Sequence, residues 1–273
     1  MSVFFSAKRL PKSSVDQAKG AKASLVCATH NRDPKLAVAI ETWLANKPHD
    51  IIIAASPSAF EYVKRLTADV STPIPIKVIK ASTANKRVQL CEGFRMSRMP
   101  VIVAVDDDTT WTLDLLPQLV SPLLSPSKIG CVFPDLRVRT SGTDSTVWER
   151  LSLLRHAGGG VNLHASHYID GGLYCNHGAT SAYRAEILQD ENFITAFTQE
   201  TWGDIRLNNG DDQYLTRWLE RHGWESEFLP VREGIAHTAA RNDWTLFLQL
   251  LRWSRGDWRS NLSALIWEKK IWM

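Results

Sequence analysis

The 273-residue sequence contains no apolar run near the 18 or so residues that a membrane-crossing helix needs. Its opening, "MSVFFSAKRLPKSS", has too short an apolar stretch for a secretory signal, and residues 1–22 read as a polar, poorly ordered arm. Cysteine is scarce and scattered. Cys27, Cys91, Cys131 and Cys175 form no C-x-x-C and no zinc-type spacing, which argues for a reduced, cytosol-facing compartment. A strong charge excess is missing too. Thirty-two Lys and Arg against 29 Asp and Glu give a net charge of +3, too mild to suggest nucleic acid as a partner. There is no internal repeat and no low-complexity linker. What the chain has in quantity is tryptophan: 11 in all, five of them after residue 240.

Apolar runs and amphipathic segments alternate along the first half. "ASLVCAT" (23–29), "DIIIAAS" (50–56), "IPIKVIK" (74–80), "VIVAV" (101–105) and "KIGCVF" (128–133) read as strands. Between them, "DPKLAVAIETWLAN", "SAFEYVKRLTA", "TANKRVQLCEGFRMSR" and "DLLPQLVSPLL" read as helices. The first has Asp33 as its N-cap and Pro34 at its first position. This order predicts an α/β fold with a mainly parallel sheet flanked by helices. Ile51–Ala55 and Val101–Val105 suit central strands buried on both faces. Further on, "STVWERLSLLRHAGGG" reads as a helix ending in its glycines. "NNGDDQYLTRWLERHG" (208–223) reads as a helix closed by Gly223, "WESEFLP" as a strand, and "DWTLFLQLLRWSRGDW" (243–258) as an apolar helix with arginines.

Three segments carry chemistry. Asp106, Asp107 and Asp108 leave a strand at its carboxyl end, where open α/β sheets bind ligands. Adjacent carboxylates repel, so burying them calls for a cation. Asp106 and Asp108 point the same way on an extended backbone and suit Mg²⁺ or Mn²⁺ shared with a substrate phosphate. A solvated acidic turn capping the next helix is the competing reading. Asp211 and Asp212 open a helix, where one can cap and the other can face a cleft as a general base. In "QLLRW", Gln249, Arg252 and Trp253 fall on neighbouring helical positions. They offer a guanidinium for phosphate and an indole for a sugar ring, or else an ordinary amphipathic helix with a core tryptophan.

Taken in order, D-x-D, G-D-D and Q-x-x-R-W resemble the family 2 glycosyltransferases of the processive polysaccharide synthase type, such as hyaluronan, chitin and cellulose synthases. With "NKR" (85–87), "GATSAYRAEIL" (178–188) and "LRWSRGDWRSNL" (251–262), the sequence is most similar to fungal type 2 glycosyltransferases, across residues 23–262. The resemblance implies a GT-A fold over 23–240 and a C-terminal amphipathic interface helix and tail over 241–273. It implies an inverting, metal-dependent transfer from a UDP-sugar to a polysaccharide acceptor. Asp106 and Asp108 would hold the metal, and Asp212 would be the catalytic base, with Asp211 capping its helix. Lys86, Arg87, Asp107 and Arg252 would bind the donor. Thr180, Ser181, Gln249 and Trp253 would line the acceptor site. His237 is a possible third metal ligand. The acid that often follows the second strand to bind uridine is missing, since Ser56 stands there, and Asp33 is a partial substitute. A non-processive transferase acting on a lipid or protein, and a silent nucleotide-sugar-binding protein, are the alternatives.

Processive synthases carry membrane-spanning helices that this sequence lacks. The segment from Asp243 is nonetheless interface-like: Phe247, Leu248, Leu251 and Trp258 make an apolar face, and Arg252, Arg255, Arg259, Lys269 and Lys270 supply charge. The expectation is a membrane-associated protein with a cytosolic catalytic domain. It would be either one part of a longer synthase or a peripheral enzyme.

Overall fold

The computed structural model describes residues 22–170, 175–229 and 234–268. The predicted arm up to residue 21, together with Lys269, Lys270, Trp272 and the side chain of Trp267, lies outside the described residues. Strands β1 (Ala23–Thr29), β2 (Asp50–Ala55), β3 (Ile76–Lys80) and β4 (Val101–Asp106) alternate with helices α1 (Lys35–Ala45), α2 (Phe60–Ala68) and α3 (Lys86–Met96). These strands run parallel in the order β3-β2-β1-β4. The predicted two-sided burial is present. Leu25, Ile51, Ile53, Val101 and Val103 pack on one face with Leu36, Ile40 and Trp43 of α1. Val26, Ile52 and Ile102 pack on the other with Leu90 and Phe94 of α3. Helix α3 sits very close to the sheet, because a Cβ at Gly93 would fall 2.4 Å from Val26 Cγ1.

The sheet continues past β4 through strands of mixed direction. The chain adds β5 (Thr110–Trp111), α4 (Leu115–Leu124), β6 (Ile129–Arg139), α5 (Val147–Asp170), β7 (Thr180–Arg184), the short α6 (Ala185–Leu188) and α7 (Glu191–Gln199). A two-stranded hairpin of β8 (Thr201–Trp202) and β9 (Ile205–Arg206) precedes α8 (Asp211–Arg221). The chain then runs through β10 (Glu225–Leu229) and β11 (Ile235–Ala239) to α9 (Thr245–Ser263). Strand β7 is antiparallel to both β4 and β6, while β10 and β11 lie parallel to β6 on its far side. The result is a nine-stranded mixed sheet, mainly parallel, with helices on both faces.

Three expectations change. Strand β6 extends six residues beyond Phe133, because its second half pairs with β11. Helix α5 runs through Gly158–Gly160 instead of ending there, against the low helical propensity of glycine. The "TSAYR" motif, which gave no strand signal, is a buried antiparallel strand.

Candidate active site

The acids of β4 are held by the turn that follows them. Asp106 N–H donates to Ala179 O at 3.0 Å, and Thr109 N–H returns to Asp106 O at 3.1 Å. The Trp43 indole of α1 donates to Thr109 O at 2.9 Å, and the Trp111 indole donates to Thr180 Oγ1 at 3.0 Å. Thr29 at the end of β1 donates to Asp107 Oδ2 at 2.5 Å. The middle aspartate is thereby turned toward β1, while Asp106 and Asp108 line a cavity of about 250 Å³.

Helix α8 brings the second acidic pair to that cavity. Gly210 at its N-cap has φ of 69°, a left-handed conformation that suits glycine. With Gly210 in that role, Asp211 is the first helical residue and not the expected cap. Its Oδ2 instead meets Lys86 Nζ at 2.8 Å. The same ammonium lies 2.9 Å from Asp106 Oδ1. Lys86 thus joins the strand-end acid to the acid that opens α8. Burial works against the Lys86 ammonium, but Asp106 and Asp211 outweigh it and raise its pKa. Burial also pushes Asp211 up, and the Lys86 ion pair more than reverses this, leaving it below the usual carboxylate range.

Among the described residues no cation pairs directly with Asp212, and Lys86 offsets its raised pKa only in part. Burial, with Asp211 adding repulsion, pushes its carboxyl up to about 6. Its Oδ1 accepts from Gln213 N–H at 2.8 Å. Gly178 lets the segment before β7 approach it, since a Cβ there would fall 3.0 Å from Asp212 Oδ2. Asp108 is raised to about 6 as well, by burial and then by Asp106 and Asp107. A cavity with carboxylates this crowded and under-neutralised fits a divalent cation.

The opposite wall comes from α5 and α9. Gln249, Arg252 and Trp253 line the cavity with Arg155, His156 and Asp257. The Trp253 ring meets His156 edge-on at 5.6 Å, and the Arg155 guanidinium lies 5.9 Å from its centroid. His156 Nδ1 lies 2.8 Å from Ser152 O, and burial lowers its pKa, so the ring is an uncharged buttress.

Carboxylates at a strand end, a half-buried aspartate opening a helix and an arginine-tryptophan pair thus share one cavity. A model described as glycosyltransferase like family 2 matches residues 21–256. The chain belongs to this family. It is 31% identical over 245 residues to a type 2 glycosyltransferase of Pyricularia oryzae, covering 89% of this chain and 50% of that protein. It is 33% identical over 246 residues to one of Gibberella zeae, covering 89% and 46% respectively. The chain therefore spans about half the length of these curated relatives. Among solved structures it is similar to a mannosyltransferase of Pyrobaculum calidifontis in complex with GDP-Man and Mn²⁺. That match has a TM-score of 0.57 and 15% identity, and covers 85% of this chain and 64% of the other. The fold is GT-A.

Within this family 2 fold, Asp106, Asp108, Asp211, Asp212, Lys86, Gln249, Arg252 and Trp253 line the one cavity. Other expected site residues do not reach it. Arg87 is only 1% exposed and does not offer itself to a donor. Its guanidinium donates to the carbonyls of Phe197, Asn209 and Gly210 and pairs with Glu200 at 2.7 Å. It is a buried brace for the loop that leads into α8. Thr180 and Ser181 are 1% and 2% exposed. Their hydroxyls donate to Ala179 O and His177 O, so they shape the Cys175–Ala179 wall. Asp33 Oδ1 accepts Lys35 N–H in the first turn of α1, off the cavity lining. His237 also lies off the lining, beside Arg137 and Arg139, and burial with those cations lowers its pKa. Among the described residues it does not join Asp106 and Asp108 in a ligand cluster. Among the described residues no set of three His, Cys, Asp or Glu side chains closes on one point, so a cation here would take its remaining ligands from substrate oxygens.

Sequence reasoning missed Arg155, His156, Asn209, Arg241 and Asp257, all of which line the cavity. Asp257 had a readable signal: it lies four residues after Trp253, on the same helical face. Arg155 and Arg241 had none, because only the packing of α5 and the end of β11 brings them in.

Proposed function

We propose that the chain transfers a sugar from a nucleotide-sugar, with UDP the leading candidate, to a hydroxyl of a glycan acceptor, with inversion at the anomeric carbon. The observation that carries this reading is Asp212: a half-buried carboxylate with raised proton affinity, facing the same cavity as Asp106, Asp108, Arg252 and Trp253. A carboxyl poised near 6 is a serviceable base at neutral pH. Asp212 takes the proton of the acceptor hydroxyl, and the freed oxygen forms a bond to the anomeric carbon. The bond from that carbon to the diphosphate oxygen breaks, and its electron pair leaves with the nucleotide. Attack and departure on opposite faces invert the centre in one displacement.

Asp106 and Asp108 would hold Mg²⁺ or Mn²⁺, which when bound supplies positive charge to the leaving diphosphate. Lys86 beside the acids and Arg252 on the opposite wall add cations to the same cavity, and Trp253 gives the acceptor ring an apolar face to lie on. A polysaccharide acceptor is favoured by that indole platform. UDP release from a UDP-sugar should require Mn²⁺ and fall at least about 100-fold in Asp108→Ala. Equal turnover in the variant would remove the proposed role of the acids.

A membrane-surface location is the companion reading. Among the described residues no helix is long and apolar enough to cross a bilayer. Helix α9 nevertheless exposes Phe247, Leu248, Leu251 and Trp258 by 53–72%, with Trp244 just before it at 60%. These positions recur at helical spacing along one stripe beside Arg255, the composition of an interfacial helix.

A further inference from the structure

Asp257 is a carboxylate that the proposed chemistry does not use. It lines the cavity, one helical turn beyond Trp253 on α9. Its Oδ1 accepts the amide Nε2–H of Gln213 at 2.6 Å. Because a carboxylate only accepts, this bond fixes which end of the Gln213 amide is which. Gln213 is the residue after Asp212, and its own Oε1 is buried and has no hydrogen-bond partner. That oxygen is wedged between two glycines: a Cβ at Gly210 would fall 2.9 Å from it, and one at Gly256 would fall 3.2 Å away. The close seat of α8 on α9 therefore depends on the Gln213 amide, and the amide is aimed at Asp257.

One oxygen of Asp257 is thus tied to the helix that carries the proposed base. The other, Oδ2, has no hydrogen-bond partner among the described residues. Burial raises the Asp257 pKa while Arg155 across the cavity opposes it, so the carboxylate keeps a compensating charge nearby. A nucleotide diphosphate would be repelled by Asp257. A neutral sugar would not: its apolar ring face suits an indole, and its hydroxyls donate to a carboxylate.

Resting on the glycosyltransferase reading above, the geometry points to Asp257 as an acceptor-recognition residue. It receives hydroxyls of a neutral sugar stacked on Trp253, with Gln213 keeping that sugar in register with Asp212. Asp257 and Trp253 form the two contacts of one pyranose subsite. The tie through Gln213 makes acceptor seating and base placement parts of one unit.

The test measures binding in two stages with the full chain. Titration calorimetry of UDP with Mn²⁺ present reports the donor side. Saturation-transfer NMR of cellotetraose and of chitotetraose, on protein already holding UDP and Mn²⁺, reports the acceptor side. Wild type should bind UDP and contact at least one oligosaccharide. Asp257→Asn and Asp257→Ser should keep the UDP affinity within about twofold and weaken the oligosaccharide about 10-fold or more, as expected for loss of a charged hydrogen bond. Thermal melts of both variants check that they fold. Normal UDP binding with unchanged oligosaccharide affinity in both variants overturns the subsite alone, as does wild type that contacts neither oligosaccharide. Wild type that fails to bind UDP overturns UDP as the donor nucleotide, a failure distinct from that of the subsite.

Discussion

Removing the Lys86 ammonium should destabilise the metal-free protein in a way that Mn²⁺ repairs. Lys86 Nζ lies 2.9 Å from Asp106 and 2.8 Å from Asp211, and Asp211 is the more enclosed partner, at 13% exposure against 34% for Asp106. Breaking a fully buried ion pair costs about 3–5 kcal/mol and a surface pair about 0–1. Both bonds share one partly exposed ammonium, so Lys86→Met falls between these limits, at about 2–3 kcal/mol. For a chain of this size, each kcal/mol lowers Tm by roughly 2–4 °C, so a fall of about 4–12 °C is expected in chelator. A divalent cation bound at Asp106 replaces the missing charge. In wild type it must first displace Lys86, so its stabilising effect is smaller there. Saturation at about a hundred times Kd contributes roughly 2.7 kcal/mol, enough to close most of the gap. The assay is calorimetric melting of both proteins, in chelator and in saturating MnCl₂. Equal Tm values in chelator would refute the bridging role. A deficit that persists unchanged in MnCl₂ would refute the idea that metal and ammonium compete for one carboxylate.

Two further outcomes are open to measurement. The Asp212 carboxyl, raised to about 6, must be ionised to act, so kcat/KM should fall about tenfold per pH unit below 6 and level off above it. Because its folded pKa lies above the unfolded value near 3.9, its share of stability is present at low pH and is lost as pH rises through 6. Asp212→Asn should lower kcat/KM at every pH and remove one of the two ionisations near 6 from the stability profile, leaving that of Asp108. Vesicles of anionic lipid should carry the wild-type chain in a flotation assay. A Phe247→Glu and Leu251→Glu double variant, altered only at exposed positions of α9, should stay behind with its Tm unchanged; equal flotation would exclude α9 as the contact.

The parallel half of the sheet could be read directly, because strands buried on both faces leave uninterrupted apolar runs such as Ile51–Ala55. The acids at the end of β4 and the start of α8 were equally visible, since charge beside an apolar run is costly without a purpose. The distal half was harder. Strand β7 is short and carries Thr180 and Ser181, polar residues whose hydroxyls are satisfied by local carbonyls, so composition conceals its burial. Helix α5 continues through three glycines, where propensity alone argued for an end. Arg87 shows the limit most plainly. Beside Lys86 it reads as half of a basic pair, yet the helix turns one cation into the cavity and the other into a nest of Phe197, Tyr214 and Glu200. Only the angular offset between neighbouring helical positions separates their roles.

The seat of α3 at Gly93 gives the cleft a remote adjustment. From Gly93 to Lys86 is about two helical turns, a stiff rod seated on the sheet through Gln89, Leu90, Gly93 and Phe94 and touching both acidic clusters with its tip. A single methyl added at residue 93 would press on Val26 and tilt that rod, drawing the ammonium off Asp106 and Asp211 while leaving every cleft residue unaltered. The electrostatic set-point of the cleft is therefore written partly in a hydrophobic layer with no charge of its own.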